Sequence, residues 1–207
     1  LARIFLVAGF GVAWSAMPAN AQKPGGTISV GVELDIPGFD VLKVGVYDTA
    51  ALTASSALFD TLTTLDANGK PQPELALSWE PSADFKTWTF KLRPGVKFHD
   101  GTPFNAEAVV KNWDYWANSS NPVHKAQVDA GQVFDYYNAQ FTGFDKDSFI
   151  TTVEATDANT VVFTLKDAMG PFLNSLAMFV FVFWSPTALE KAGVDSCKTP
   201  VGTGPFK

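Results

Sequence analysis

Cysteine is nearly absent from the 207-residue chain. Cys197 stands alone, which excludes an intramolecular disulfide framework and a multi-cysteine zinc site. Histidine is almost as rare, with only His99 and His124. Charge is sparse as well: 17% of residues are Asp, Glu, Lys or Arg, and the 15 basic residues are scattered among 21 acidic ones for a net charge of -6. A nucleic-acid backbone is met by clustered Lys and Arg, so that class of partner is excluded. Apolar runs are short. Ile4–Trp14 and Phe179–Trp184 both fall well below the roughly 20 residues that a membrane-spanning helix needs. What the chain does have is apolar and aromatic mass: 46% hydrophobic and 14% aromatic residues, including 6 Trp and 18 Phe. That is too much for a disordered chain and enough for a sizeable core. It also suits a protein that encloses a ligand between apolar walls.

The front of the chain reads as an address. Arg3 precedes the apolar run Ile4–Trp14, and Ala19-Asn20-Ala21 places small side chains three and one residues before a cut. This is the pattern of a cleavable secretory signal over residues 1–21, with Gln22 as the mature N-terminus. No cysteine follows the run, so a lipid anchor there is not expected. The chain opens on Leu1, and the start of the basic region is expected to lie upstream.

Alternation and turn chemistry organise the rest. Ile28, Val30 and Val32 alternate as in a strand over Thr27–Glu33. Asp48–Asp60 reads as a helix of small residues capped by Asp48. Asp66-Ala-Asn-Gly69 turns a hairpin after a strand over Thr61–Leu65. Thr87–Leu92 alternates with Trp88, Phe90 and Leu92 on one face, and Arg93-Pro-Gly95 is expected to return it into a second hairpin with Val96–Phe98. Asn105 caps a helix to about Asn118, with Val109, Trp113 and Trp116 at helical spacing. Ser119–Gly143 shows no clean period and reads as a long loop with some helix. Ile150–Ala155 and Thr160–Leu165 flank Asp157-Ala-Asn159 as a third hairpin. Pro171–Met178 reads as helix, Phe179–Trp184 as an apolar strand, and Pro186 opens a last helix closed by Gly193. The class is mixed α/β without repeats.

Four blocks then stand out: Gly25-Gly-Thr-Ile-Ser-Val-Gly31; Leu58-Phe-Asp-Thr-Leu62 with Pro73-Glu-Leu-Ala76 and Ser78-Trp79; Trp88-Thr-Phe-Lys-Leu-Arg-Pro-Gly-Val-Lys-Phe-His-Asp-Gly-Thr-Pro-Phe104; and Val201-Gly-Thr-Gly-Pro-Phe206. In content, order and spacing they resemble the extracytoplasmic solute-binding proteins of peptide and nickel importers, family 5. The resemblance implies a periplasmic-binding-protein-like fold whose two lobes close on a ligand. It implies that 22–48 and about 195–207 belong to the first lobe's main sheet, that about 49–185 form an inserted subdomain, and that the second lobe is missing from this stretch. The implied function is capture of di- or oligopeptides, or a similar small solute, for the permease of an ABC transporter. The implied protein is a periplasmic monomer without catalytic activity or cofactor, and not a lipoprotein. A nickel- or sugar-binding member of the family is the alternative, and a secreted hydrolase is the reading from another class.

The residues that invite other chemistry have plainer roles. His99-Asp100-Gly-Thr is turn chemistry between strand and helix. Asp145-Lys-Asp147 opens like a calcium loop, but the sixth and twelfth positions are Ile150 and Thr156 rather than Gly and Glu. Gly202-Thr-Gly204 lacks the third glycine of a dinucleotide fingerprint and reads as a tight turn into a strand. Trp88, Phe90, Trp113 and Trp116 are expected in the core. The ligand candidates are Val44, Gly45, Val46, Tyr47 and Asp48, because the family's corresponding loop lies along the ligand. Gly45 permits close backbone approach, and Tyr47 offers a flat face with a polar tip. Tyr136 and Tyr137 are secondary candidates. Mass spectrometry of the protein from its native envelope is expected to find Gln22, or its cyclised form, as the first residue; an intact Arg3–Ala21 segment would refute the cleavage site.

Overall fold

The computed structural model describes residues 49–131 and 134–207, together with 29, 31–33, 35, 36, 38 and 39. The signal segment 1–21, three of the seven residues of the strand read over Thr27–Glu33 (27, 28 and 30), the Asp48 cap and the whole Val44–Asp48 loop lie outside the described residues; Ser29 and Gly31–Glu33 are exposed and in no strand.

Among the described residues the first element is helix α1 (Thr49–Ser55), followed by a two-stranded antiparallel hairpin, β1 (Thr63–Leu65) and β2 (Pro71–Pro73), in which Leu65 pairs with Pro71. Asp66 builds its turn: its carboxylate accepts from the Asn68 and Lys70 amides at 2.8 and 2.9 Å, and Gly69 takes φ +75°. A four-stranded antiparallel sheet runs in the order β3-β4-β6-β5, formed by β3 (Ala76–Pro81), β4 (Thr87–Leu92), β5 (Ile150–Asp157) and β6 (Thr160–Leu165). Helix α2 (Ala106–Ala117) lies on one face of that sheet. Its N-cap is Asn105, whose side chain accepts from the Ala108 amide at 2.9 Å, as the sequence indicates. Two helices follow, α3 (Pro122–Asp129) and α4 (Asp135–Phe141). After the sheet come α5 (Phe172–Leu176) and α6 (Pro186–Ala192), the last capped by Ser185 and ended at Gly193.

The core is aromatic. Trp88, Phe90 and Leu92 of β4 share the inner face with Val161, Phe163 and Leu165 of β6, and all six are buried. Trp113 of α2 meets Phe163 edge-on, centroids 4.9 Å apart and planes at 84°, while Trp116 packs on Phe181 and Phe183 at 5.8 and 5.4 Å. Offset and edge-on contacts of this kind add to area burial.

Four expectations are corrected. The partner of β4 is not Val96–Phe98 but β3, a polar edge strand with a bulge between Ala76 and Ser78 that the alternation rule passes over. Since β4 is paired on its other side by β6, Val96–Phe98 instead folds back over Gly101, with Phe98 N–H to Thr102 O at 2.9 Å and Phe104 N–H to Val96 O at 3.0 Å. The stretch 119–143 is mainly helical, because Asn121 caps α3 through the Val123 and His124 amides. Phe179–Trp184 forms no strand. Its peptide groups are met individually: buried Asn112 accepts from Trp184 N–H at 3.0 Å and donates to Trp184 O at 2.8 Å, and Phe183 N–H reaches Asp60 O at 3.2 Å. One carboxamide thus replaces a ladder partner. Helix α1 is shorter than Asp48–Asp60, because the Ala57 and Leu58 carbonyls accept from Phe206 and Gly204.

Trp88 is 5% exposed, packs on Phe172 at 5.5 Å and donates its indole N–H to Phe85 O at 3.2 Å. Trp88→Ala is expected to lower stability by about 3–5 kcal/mol, read as a chemical-denaturation shift; an unshifted midpoint would refute the packing described.

Candidate functional site

Described residues flank the candidate ligand segment on both sides in the sequence. On its N-terminal side Phe39 is half-buried against the core, and its carbonyl accepts from the Ser55 hydroxyl at 3.1 Å. On its C-terminal side Thr49 begins α1. Val44, Gly45, Val46, Tyr47 and Asp48 themselves fall between these points, outside the described residues.

The base of α1 runs into a junction that joins three of the sequence blocks. The segment Val201–Phe206 passes directly over Leu58. A Cβ on Gly202 would lie 2.1 Å from Leu58 O, and one on Gly204 would lie 2.6 Å from Leu58 C. Any side chain there would collide with backbone, so glycine is obligatory for proximity rather than for φ. The contact is stitched by Gly204 N–H to Leu58 O at 3.0 Å, Phe206 N–H to Ala57 O at 3.1 Å, and the Thr203 hydroxyl to Asp60 Oδ2 at 2.6 Å. Below it, Glu74 Oε2 accepts from the Thr61 hydroxyl and amide at 2.5 and 3.1 Å, tying Leu58–Leu62 to Pro73–Ala76. Burial raises the Glu74 carboxyl above its ordinary range despite these bonds.

His99 and Asp100 lock the other side. His99 N–H donates to Gly202 O at 2.9 Å, Gly202 N–H donates to Nδ1 at 3.3 Å, and Nε2 faces Gly204 O at 2.7 Å. A carbonyl only accepts, so the neutral ring carries its proton on Nε2. Asp100 Oδ2 accepts from the Ser185 hydroxyl at 2.5 Å, and Oδ1 accepts from the Thr102 hydroxyl and amide at 2.6 and 2.9 Å. Desolvation alone would raise its pKa, but the Ser185 and Thr102 bonds outweigh it and hold the carboxyl below its ordinary value. A cavity of about 560 Å³ opens beside this junction, with Ala188, Ala192 and Val201 as its apolar wall and Asp100, Lys191 and Asp195 among its charged lining.

The turn reading of His99-Asp100-Gly-Thr is therefore borne out, and its long-range partner, the Gly202–Gly204 strap, is what sequence reasoning missed. His124 is not in a loop: it sits in the first turn of α3, stacked on Phe134 at 4.2 Å, its Nδ1–H donating to Tyr115 O at 2.9 Å. Burial pushes its imidazole below the ordinary range and keeps it neutral. Tyr137 is removed from the ligand candidates, being fully buried with its hydroxyl on Ser148 at 2.8 Å and its pKa pushed up to about 12 by burial. Tyr136 is half-buried against the same core. Asp145 bridges to the end of α2, 26 residues back, accepting from the Ser119 amide and hydroxyl at 3.0 and 2.5 Å.

Comparison with known proteins gives this geometry a context. Residues 70–207 match the family described as bacterial extracellular solute-binding proteins, family 5 Middle. Over 160 residues the chain is 37% identical to the glutathione-binding protein GsiB of Shigella flexneri, covering 77% of this chain and 28% of that protein. It is 37% identical over 176 residues to the dipeptide-binding protein of Escherichia coli (strain K12), covering 72% of this chain and 32% of the relative. The chain thus spans roughly a third or less of the length of these curated relatives. Among solved structures, the ABC transporter-associated periplasmic binding protein DppA from Helicobacter pylori, in complex with peptide STSA, superposes with a TM-score of 0.71 at 28% identity, over 84% of this chain and 34% of that one. The mixed α/β, periplasmic-binding-protein-like fold expected from the sequence is the fold found.

The sign of the Asp100 effect follows from its lowered pKa: its contribution is present above the ordinary carboxylate value of 3.8 and is lost as pH falls through the folded value. Asp100→Asn is expected to cost about 1 kcal/mol at pH 7, with the gap from wild type closing below the ordinary carboxylate range. Urea unfolding of both proteins across pH 3–7 measures it, and a gap constant with pH would refute the charge-assisted bonds.

Proposed function

Since the chain belongs to the bacterial extracellular solute-binding proteins of family 5, we propose that it captures small peptides in the periplasm and presents them to the permease of an ABC transporter, without acting on them chemically. The observation that carries this reading is the 37% identity to both a glutathione-binding and a dipeptide-binding protein, sustained over most of this chain. Glutathione is itself a short peptide, so the two relatives' printed ligands share an amide link, a free amine and a C-terminal carboxylate. The described residues contain no helix long and apolar enough to cross a membrane, and export through the cleavable signal 1–21 supplies the route to the periplasm.

Residues 22–48 and about 195–207 build the first lobe's main sheet in this reading, and about 49–185 form the subdomain inserted in it. The second lobe corresponds to length that the relatives have and this stretch does not span. Ligand on one lobe makes half its contacts; hinge closure adds the rest, excludes water and creates the liganded shape that a permease can recognise. Val44–Asp48 contributes the first lobe's share, with Gly45 admitting the peptide backbone and Tyr47 covering it. The protein works as a monomer in this reading, each chain closing its own cleft on its own ligand.

Calorimetric titration of the natural protein carrying this sequence is expected to give micromolar affinity for glutathione or dialanine, and Tyr47→Ala to weaken it about tenfold with thermal stability unchanged. Tight binding of nickel or a sugar, with none of either peptide, would overturn the peptide reading. Turnover of either peptide would overturn the non-enzymatic one.

A further inference from the structure

At the foot of hairpin β1–β2 the count of protons does not match the count of acceptors. The Thr61 hydroxyl lies 2.7 Å from Thr63 O and 2.5 Å from Glu74 Oε2, and it has a single proton to give. Thr63 O needs that proton. Thr63 is fully buried and lies opposite Pro73, which has no N–H, and among the described residues β1 has no strand on its other side. The ionised Glu74 carboxylate accepts the hydroxyl proton and so takes it from a buried carbonyl. A neutral Glu74 satisfies every group: its own O–H donates to Thr61 Oγ1, the Thr61 hydroxyl donates to Thr63 O, and Oε2 still accepts from the Thr61 amide at 3.1 Å.

We propose that this pair is a pH-sensitive clasp: with Glu74 neutral, the relay from Glu74 through Thr61 to Thr63 fastens Pro73–Ala76 to Leu58–Leu62, and loss of the Glu74 proton turns the Thr61 hydroxyl away from Thr63 O and loosens hairpin β1–β2. The surroundings favour the neutral form. Burial raises the Glu74 carboxyl above its ordinary value, and the neighbouring Asp60 adds to the rise. Arg93, just after β4, donates its guanidinium to the Glu74 main-chain O at 3.2 and 3.1 Å. The two elements packed on β1, β2 and α5, hold no ionisable residue. A carboxyl raised in this way contributes stability below the ordinary value of 4.5 and loses it as pH rises through the folded value. Asp100 acts in the opposite sense. The clasp does not depend on which solute the protein takes.

Two measurements on the natural protein carrying this sequence decide the matter. In carbon-detected NMR of the side-chain carboxyls, Glu74 of the wild type is expected to titrate with a midpoint above 4.5; a midpoint at or below that value would overturn the proposal. Amide hydrogen exchange, corrected for the intrinsic effect of pH, is expected to show protection over 61–75 falling about tenfold as pH rises through that midpoint, with β4 and β6 unchanged. Glu74→Gln keeps an uncharged donor toward Thr61 Oγ1 and is expected to hold its protection level over the same range. A level wild-type profile would overturn the clasp, as would a fall of equal size in Glu74→Gln or in β4 and β6. If Glu74→Gln does not fold, the wild-type titration and exchange profile decide the question by themselves.

Discussion

The backbone of Gly202 lies so close to Leu58 that even a methyl group would sit 2.1 Å from the Leu58 carbonyl oxygen. Much of the described structure is arranged around that approach. It ends α1 early by claiming the carbonyls of Ala57 and Leu58, aligns Thr203 with Asp60, and brings Val201 O to Ser185 N–H at 2.9 Å, so that α6 starts where the strap passes. Residues more than 140 positions apart are joined by main-chain bonds whose geometry tolerates no substituent.

The aromatic core imposes a different discipline. Its rings fill volume without direction, but the peptide groups that thread between them must each find a partner. Asn112 shows the solution: a polar side chain, fully buried on the inner face of α2, bonded to both peptide atoms of Trp184 and to Ala108 O. This lets an apolar segment cross the core without joining a sheet. His124 and Tyr137 are handled in the same way, each buried with one bond and each held in its neutral form.

The junction around the glycine strap meets the same demand with ionisable groups. His99 holds Gly202 and Gly204, Asp100 holds Ser185 and Thr102, and Glu74 holds Thr61, so the polar side chains that lie between the sequence blocks are hydrogen-bonded rather than left to face the aromatic core.

The sequence by itself determined those features whose cause is local. Alternation marked β4, Asp157–Asn159 marked the hairpin of β5 and β6, Asn105 marked the start of α2, Asp66–Gly69 marked a hairpin, and helical spacing marked Trp113 and Trp116 as core. The blocks from Leu58 to Phe206 also sufficed for the family. Only tertiary structure decided the rest, because its causes are long-range. The polar edge strand β3 exists because β4 needs a partner on that side, and Phe179–Trp184 is not a strand because Asn112 and Asp60 take its bonds. Gly202 and Gly204 read as an ordinary turn until Leu58 is seen beneath them. No local period records that a residue 144 positions away occupies the space a Cβ would need.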